Sequence, residues 1–253
     1  MNPIERVAEL LLRCGRPEAI LPPTELFNEG WMLRLVLDWA SAHPTSIKPL
    51  RFDEGSAWYS EALLASRFKP RKRGDQSGEG FTHADAIIGH FQLHPGGRGD
   101  IELLPGARQL TVVEAKMASG LSPGTKYAPD FNQAARNVAC IAHLLGADTS
   151  VTNCGFVLIA PQDKIAQGAF QAVERNQIAH AVETRAQSFD AAAVEWCKGP
   201  FRQVLGRCEL TVLSWETVLD EISRVDAADG AKLREFYSDC LRYNPLLPRG
   251  TAV

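Results

Sequence analysis

Apolar and polar positions alternate at helical spacing from the start of the chain. In MNPIERVAELLLRC the apolar positions are broken by Glu5, Arg6 and Glu9, which predicts an amphipathic helix and not a secretory signal. NEGWMLRLVLDWASAHP is a second helical run that ends before Pro44. DEGSAWYSEALLASRF predicts another helix, with a stripe through Ala57, Trp58, Leu64, Ala65 and Phe68 and with Glu61 inside it. The period then changes. THADAIIGHFQL, DIELL and QLTVVEAKM read as strands joined by the turns HPGGRG and PGAR, an antiparallel meander. DFNQAARNVACIAHLLGA returns to helix, with Asp130 as its cap and Gln133 at the third position. CGFVLIAP fits a central buried strand, residues 163–189 are helical, CELTVLSWETV is a late strand, and the C-terminal part is helical again. The expected class is α/β: a mixed central sheet, a meander plus a buried strand, flanked by helices.

One strand ends in an unusual way. In TVVEAKM, Leu110, Val112, Glu114 and Lys116 share one face, and Thr111, Val113, Ala115 and Met117 the other. Both faces look partly buried, and a buried charge needs a partner, a metal or a function. The plain alternative is an exposed strand end with a weak ion pair. Pairing across PGAR, with Leu104 facing Leu110, sets Asp100 opposite Glu114, with Cβ atoms about 4.5–5.5 Å apart. Two carboxylates so placed repel unless a cation lies between them, and Mg²⁺ takes one or two carboxylates plus waters and phosphate oxygens.

Composition narrows the partners. The net charge is −3, so any polyanion site must be local. Six cysteines without CxxC spacing read as reduced thiols of a cytoplasmic chain. No run of about 18 apolar residues predicts a membrane span. His83, His90 and His94 invite a zinc reading, but His83 and His90 have opposite strand parity and His94 falls in a turn.

GDIELLPGARQLTVVEAK resembles the signature of the PD-(D/E)XK nuclease superfamily, the restriction-endonuclease-like fold, in which an Asp opens one strand of a hairpin and Glu-x-Lys closes the next. The match falls on Asp100, Glu114 and Lys116. Asp85, which also begins a strand, competes with Asp100 for the acidic position. The resemblance implies a preceding helix that supplies another acid, where Glu61 fits, and a following helix that offers a polar residue, where Gln133 fits. Each has an ordinary alternative, a helix-surface acid and a capping residue. The resemblance also implies Mg²⁺, with Mn²⁺ as substitute, held by Asp100 or Asp85 and by Glu114, with the Ala115 carbonyl as a third ligand. It covers about 55–160 of a single domain over 1–253, leaving a helical N-terminal addition (1–45) and a C-terminal one (161–253). The exonuclease branch would have Tyr where this chain has Asn137.

The expectation is therefore a Mg²⁺-dependent phosphodiesterase acting on nucleic acid, DNA before RNA. The basic run around Arg71, Lys72 and Arg73, with Lys126 and Arg136, would contact phosphates, or be a solvated loop. A catalytically inactive nucleic-acid-binding or structural module of the same fold is one alternative. A metal enzyme acting on a small molecule is another. The oligomeric state, a homodimer included, is left open.

Overall fold

The CGFVLIAP run is buried along almost its whole length as a strand, Asn153–Ala160, and the sheet is built around it. The structure is a computed structural model that describes residues 2–146 and 150–245. The main sheet has β1 (Ala57–Ala65), β2 (Phe81–Gly89), β5 (Gln109–Ala115), β6 (Asn153–Ala160) and β7 (Glu209–Ser214), in the order β1-β2-β5-β6-β7. β1, β2 and β5 run antiparallel, while β5, β6 and β7 run parallel. β3 (Phe91–Leu93) and β4 (Ile101–Leu103) form a separate two-stranded ribbon.

Strands buried on both faces need apolar cover on both. One core joins Leu110, Val112, Phe156 and Leu158 to α3 (Gln133–Leu145), α5 (Arg175–Gln187), α6 (Ala191–Trp196) and α7 (Arg202–Arg207). The other joins Val113, Ala115, Val157 and Ile159 to α2 (Glu29–Ala42), α8 (Trp215–Val225) and α9 (Ala227–Tyr243). α3 carries Ala134, Ala135, Ala139 and Ala142 among its buried residues, and these small side chains let the helix lie close to the sheet. Among the described residues no helix is long and apolar enough to cross a membrane.

The segments read correctly in type include α1 (Pro3–Leu11), α2, β2, β4, β5, β6 and β7. The 163–189 stretch is broken into α4 (Gln162–Ala166) and α5. α3 is capped by Asn132, whose side chain accepts from the Ala135 amide, and not by Asp130; the predicted end at Ala147 lies outside the described residues.

Two expectations are overturned. The segment from 57 to 65 is a strand, not a helix. Its alternation is broken at Glu61, the one described non-glycine residue with positive φ (58°). Before it Trp58 packs toward the α2 side; after it Ala62 and Leu64 belong to the opposite core. A left-handed residue thus shifts the strand period by one, and the apolar spacing imitates a helix. The hairpin register also fails. β4 pairs with β3, and the antiparallel neighbour of β5 is β2.

Gly89 closes the β2–β5 pairing opposite Leu110. A Cβ there would sit 2.3 Å from the Gln109 carbonyl oxygen. Gly89→Ala must therefore push the two strands apart. Urea unfolding should show a loss of about 1–3 kcal/mol, as for other overpacked sites. An unchanged midpoint would mean that the strands approach less closely here.

Candidate active site

The register builds a row of acids. Ser60 faces Ala86 and Ala62 faces Ala84, so Glu61 lies opposite Asp85. Ala86 faces Val113, and one step further puts Asp85 opposite Glu114. The Asp85 carboxylate accepts from the Ala115 amide at 2.8 Å, which fixes it at the end of β5. Glu61 turns outward instead. Arg34 of α2 binds Ser60 Oγ through Nε at 2.9 Å and the Glu61 carboxylate at 3.1 Å.

Glu114 has no exposed surface, and Lys116 is 8% exposed. The Lys116 ammonium lies 2.6 Å from Glu114 Oε1. Gln133 Nε2 donates to the same oxygen, and Asn137 Nδ2 donates to Oε2 at 3.3 Å. Gln133 and Asn137 are one turn apart on α3 and so share a face. Burial, and then the neighbouring Asp85 charge, push the Glu114 carboxyl up to about 8 against the pull of Lys116. The backbone of Lys116 is locked as well: its amide donates to Ile159 at 2.8 Å, and its carbonyl accepts from the Trp215 indole at 2.9 Å.

The donor set at the strand end is oxygen. Among the described residues no three His, Cys, Asp or Glu side chains converge, so the carboxylates here are two, Asp85 and Glu114. The Ala115 carbonyl leaves the strand on the same edge as its amide, the edge that meets Asp85. Asn137 Oδ1 is buried without a hydrogen-bond partner, so the site has an acceptor left for a water. Two carboxylates and a carbonyl edge suit a small hard cation.

Asp100 does not join this group. It bridges Leu63 at the outer side of β1, and its side chain accepts from the Arg98 amide at 3.1 Å. β1 and β2 stand between it and β5. The expected Asp100–Glu114 pair is thus corrected to Asp85–Glu114. His90 is held in a turn by the Glu54 carbonyl and the Gln109 amide.

The basic residues divide. Arg71 is committed to Asp75 at 3.0 Å, to the Phe189 carbonyl and to the Phe189 ring. The Arg71 bond, and then the Ser77 hydroxyl, hold the Asp75 carboxyl well below its usual range. Lys72 and Arg73 are exposed at the tip of that loop. Lys126 is exposed over the Tyr127 ring, and Arg136 reaches Ser122 at 3.4 Å. Arg34 and Asn137 were missed from sequence. The available signals were an arginine inside the apolar run of α2 and an asparagine amid buried alanines one turn after Gln133.

Comparison with protein-family models, with curated proteins and with solved structures finds no match.

Glu114 generates a pH signature. In the fold its carboxyl is pushed from an ordinary 4.5 up to about 8. The folded state therefore binds the extra proton between those limits, and stability falls as pH rises from about 4.5 to about 8. The span corresponds to at most roughly 5 kcal/mol. Thermal midpoints of metal-free protein should fall across that window, and Glu114→Gln should flatten the trend. Equal slopes in both proteins would remove Glu114 as the titrating group.

Proposed function

We propose that the chain is a divalent-metal-dependent nuclease, with a restriction-endonuclease-like arrangement of its strands around β5. The observation that carries the reading is the buried Glu114, which has Asp85 beside it and Lys116 on its own strand face. Asp85, Glu114 and the Ala115 carbonyl would hold Mg²⁺ or Mn²⁺. When bound, that ion supplies Lewis acidity to a phosphodiester oxygen and to a water. Lys116 keeps a proton-rich ammonium where a water or a phosphate oxygen would approach, and stabilises charge that develops there. Gln133 and Asn137 hold the Glu114 carboxylate in one orientation.

The clefts of 420–490 Å³ on the surface are lined by other residues, none of them Asp85, Glu114 or Lys116. On this reading the substrate is an extended polyanion laid across the strand ends. Lys72, Arg73 and Lys126, exposed on two loops, give such a chain phosphate contacts, with Arg136 nearer the site. The two loops are tied to each other by the Tyr127 hydroxyl and Gln76. DNA is proposed before RNA. An inactive nucleic-acid-binding module would not require Asp85, Glu114 and Lys116 together.

Labelled single- and double-stranded DNA and RNA, incubated with Mg²⁺, Mn²⁺ or a chelator, test the reading. Metal-dependent cleavage supports it. Binding without cleavage would favour the inactive module, and neither binding nor cleavage would sink both. Lys116→Ala should lower cleavage by roughly 10²–10³. Its thermal midpoint below pH 8 should change little, because a neutral Glu114 keeps its amide donors. Metal affinity should rise with pH up to about 8, since a cation must displace the Glu114 proton. Neutralising Lys72 and Arg73 should flatten the salt dependence of DNA binding by up to about two units of slope.

A further inference from the structure

The six cysteines are all buried and reduced, and two of them meet. β6 and β7 run parallel with Gly155 opposite Glu209, so one residue earlier Cys154 stands opposite Cys208. Strands in a sheet are about 4.8 Å apart, within the Cα separation of about 4.4–6.8 Å that a disulfide spans. Both side chains belong to the same core, so they point to the same face. Facing Cys154 across the strand pair, Cys208 Sγ donates to the Glu209 carbonyl at 3.8 Å. Elsewhere Cys140 donates to the Leu64 carbonyl, Cys240 to the Asn28 carbonyl and Cys14 to the Leu10 carbonyl.

We propose that Cys154 and Cys208 are a peroxide-reactive dithiol that closes into an intramolecular disulfide.

The surroundings assign a role to each sulfur. The neighbouring Cys208 thiol, and then the Arg207 and Arg175 charges, favour the thiolate of Cys154, while the Cys154 sulfur and burial push the Cys208 thiol up. Arg175 also donates to the Cys208 carbonyl at 2.9 Å, which keeps that cation at the pair. Cys154 is 5% exposed, while Cys208 lies deeper at 1%. A water-sized oxidant thus meets Cys154 first. Its thiolate attacks one peroxide oxygen and the O–O bond breaks. Cys154 becomes a sulfenic acid and hydroxide leaves. The Cys208 sulfur then attacks the sulfenic sulfur, its proton leaving with the displaced hydroxyl as water. Two thiols are oxidised by two electrons, and one peroxide is reduced to two waters.

The new bond would tie the starts of β6 and β7 together. Cys154 pairs with Leu110, four residues before Glu114, so the dithiol lies toward the opposite end of β5 from the acids. Closure should fasten the edge strand without touching the candidate active site.

The test uses the full-length reduced protein, treated with hydrogen peroxide, alkylated and digested for mass spectrometry. The expected product is one cross-linked peptide pair, Cys154 with Cys208, lacking two hydrogens and reopened by a dithiol reductant. Cys140, Cys197 and Cys240 should be alkylated only after unfolding. Cys208→Ser should halt the reaction at a sulfenic acid on Cys154, which dimedone would trap. Cys154→Ser should leave Cys208 a thiol. Oxidation spread evenly over the cysteines, or a Cys208→Ser protein in which Cys154 does not react, would overturn the proposal.

Discussion

Burying the Glu114 carboxylate is the constraint around which the rest is arranged. An ionised group taken out of water is destabilising by several kcal/mol unless it is paired and hydrogen-bonded. Here three neighbours answer that need: Lys116 from the same strand, and Gln133 and Asn137 from the next helix. They do not answer it completely, because Asp85 adds a second negative charge and the carboxyl remains far above its usual range. A fold selected for stability alone would place an apolar residue at 114, between Val112 and the α3 face. The residual strain is directed at one point, the strand end where Asp85 and the Ala115 backbone converge.

That point is also where the sheet changes direction. β5 has an antiparallel neighbour on one edge and a parallel neighbour on the other. The antiparallel side brings Asp85 to it. The parallel side demands a crossover helix, and α3 arrives with its first turn over the same strand end. Its Gln133 and Asn137 thereby reach Glu114. Ligands in open α/β sheets sit at such strand ends for a related reason: helices and loops from both sides meet there.

Much of this was legible in the residues, and the losses have specific causes. Glu114 and Lys116 were read as sharing a face because side-chain alternation along a strand is local. Gln133 was placed near the site, although as a third-position capping residue it had another explanation. The partner acid could not be settled by spacing. The PGAR turn made β4–β5 pairing the obvious choice, whereas β2 holds that edge and carries Asp85. Nothing local announces a non-consecutive pairing. β1 was misread because one positive-φ residue, Glu61, moves the apolar pattern out of a period of two. Arg71, counted with the solvent-facing cations, is a loop anchor. A neighbouring Asp75 at four residues was a visible hint of that.

Gln133 links the buried charge to the surface. Its amide oxygen accepts from the Ser122 amide at 3.1 Å, so its amide nitrogen is left for Glu114. The Gln133 backbone amide donates to the Ser122 carbonyl at 3.0 Å, closing the base of the loop between them. Further along, Gly124 bonds Pro129 and Ala128 bonds Thr125, so the loop narrows to a turn that displays Lys126 and Tyr127. Tyr127 reaches Gln76 on the basic loop. A single amide therefore fixes both the orientation of the buried carboxylate and the base of the loop that faces the solvent.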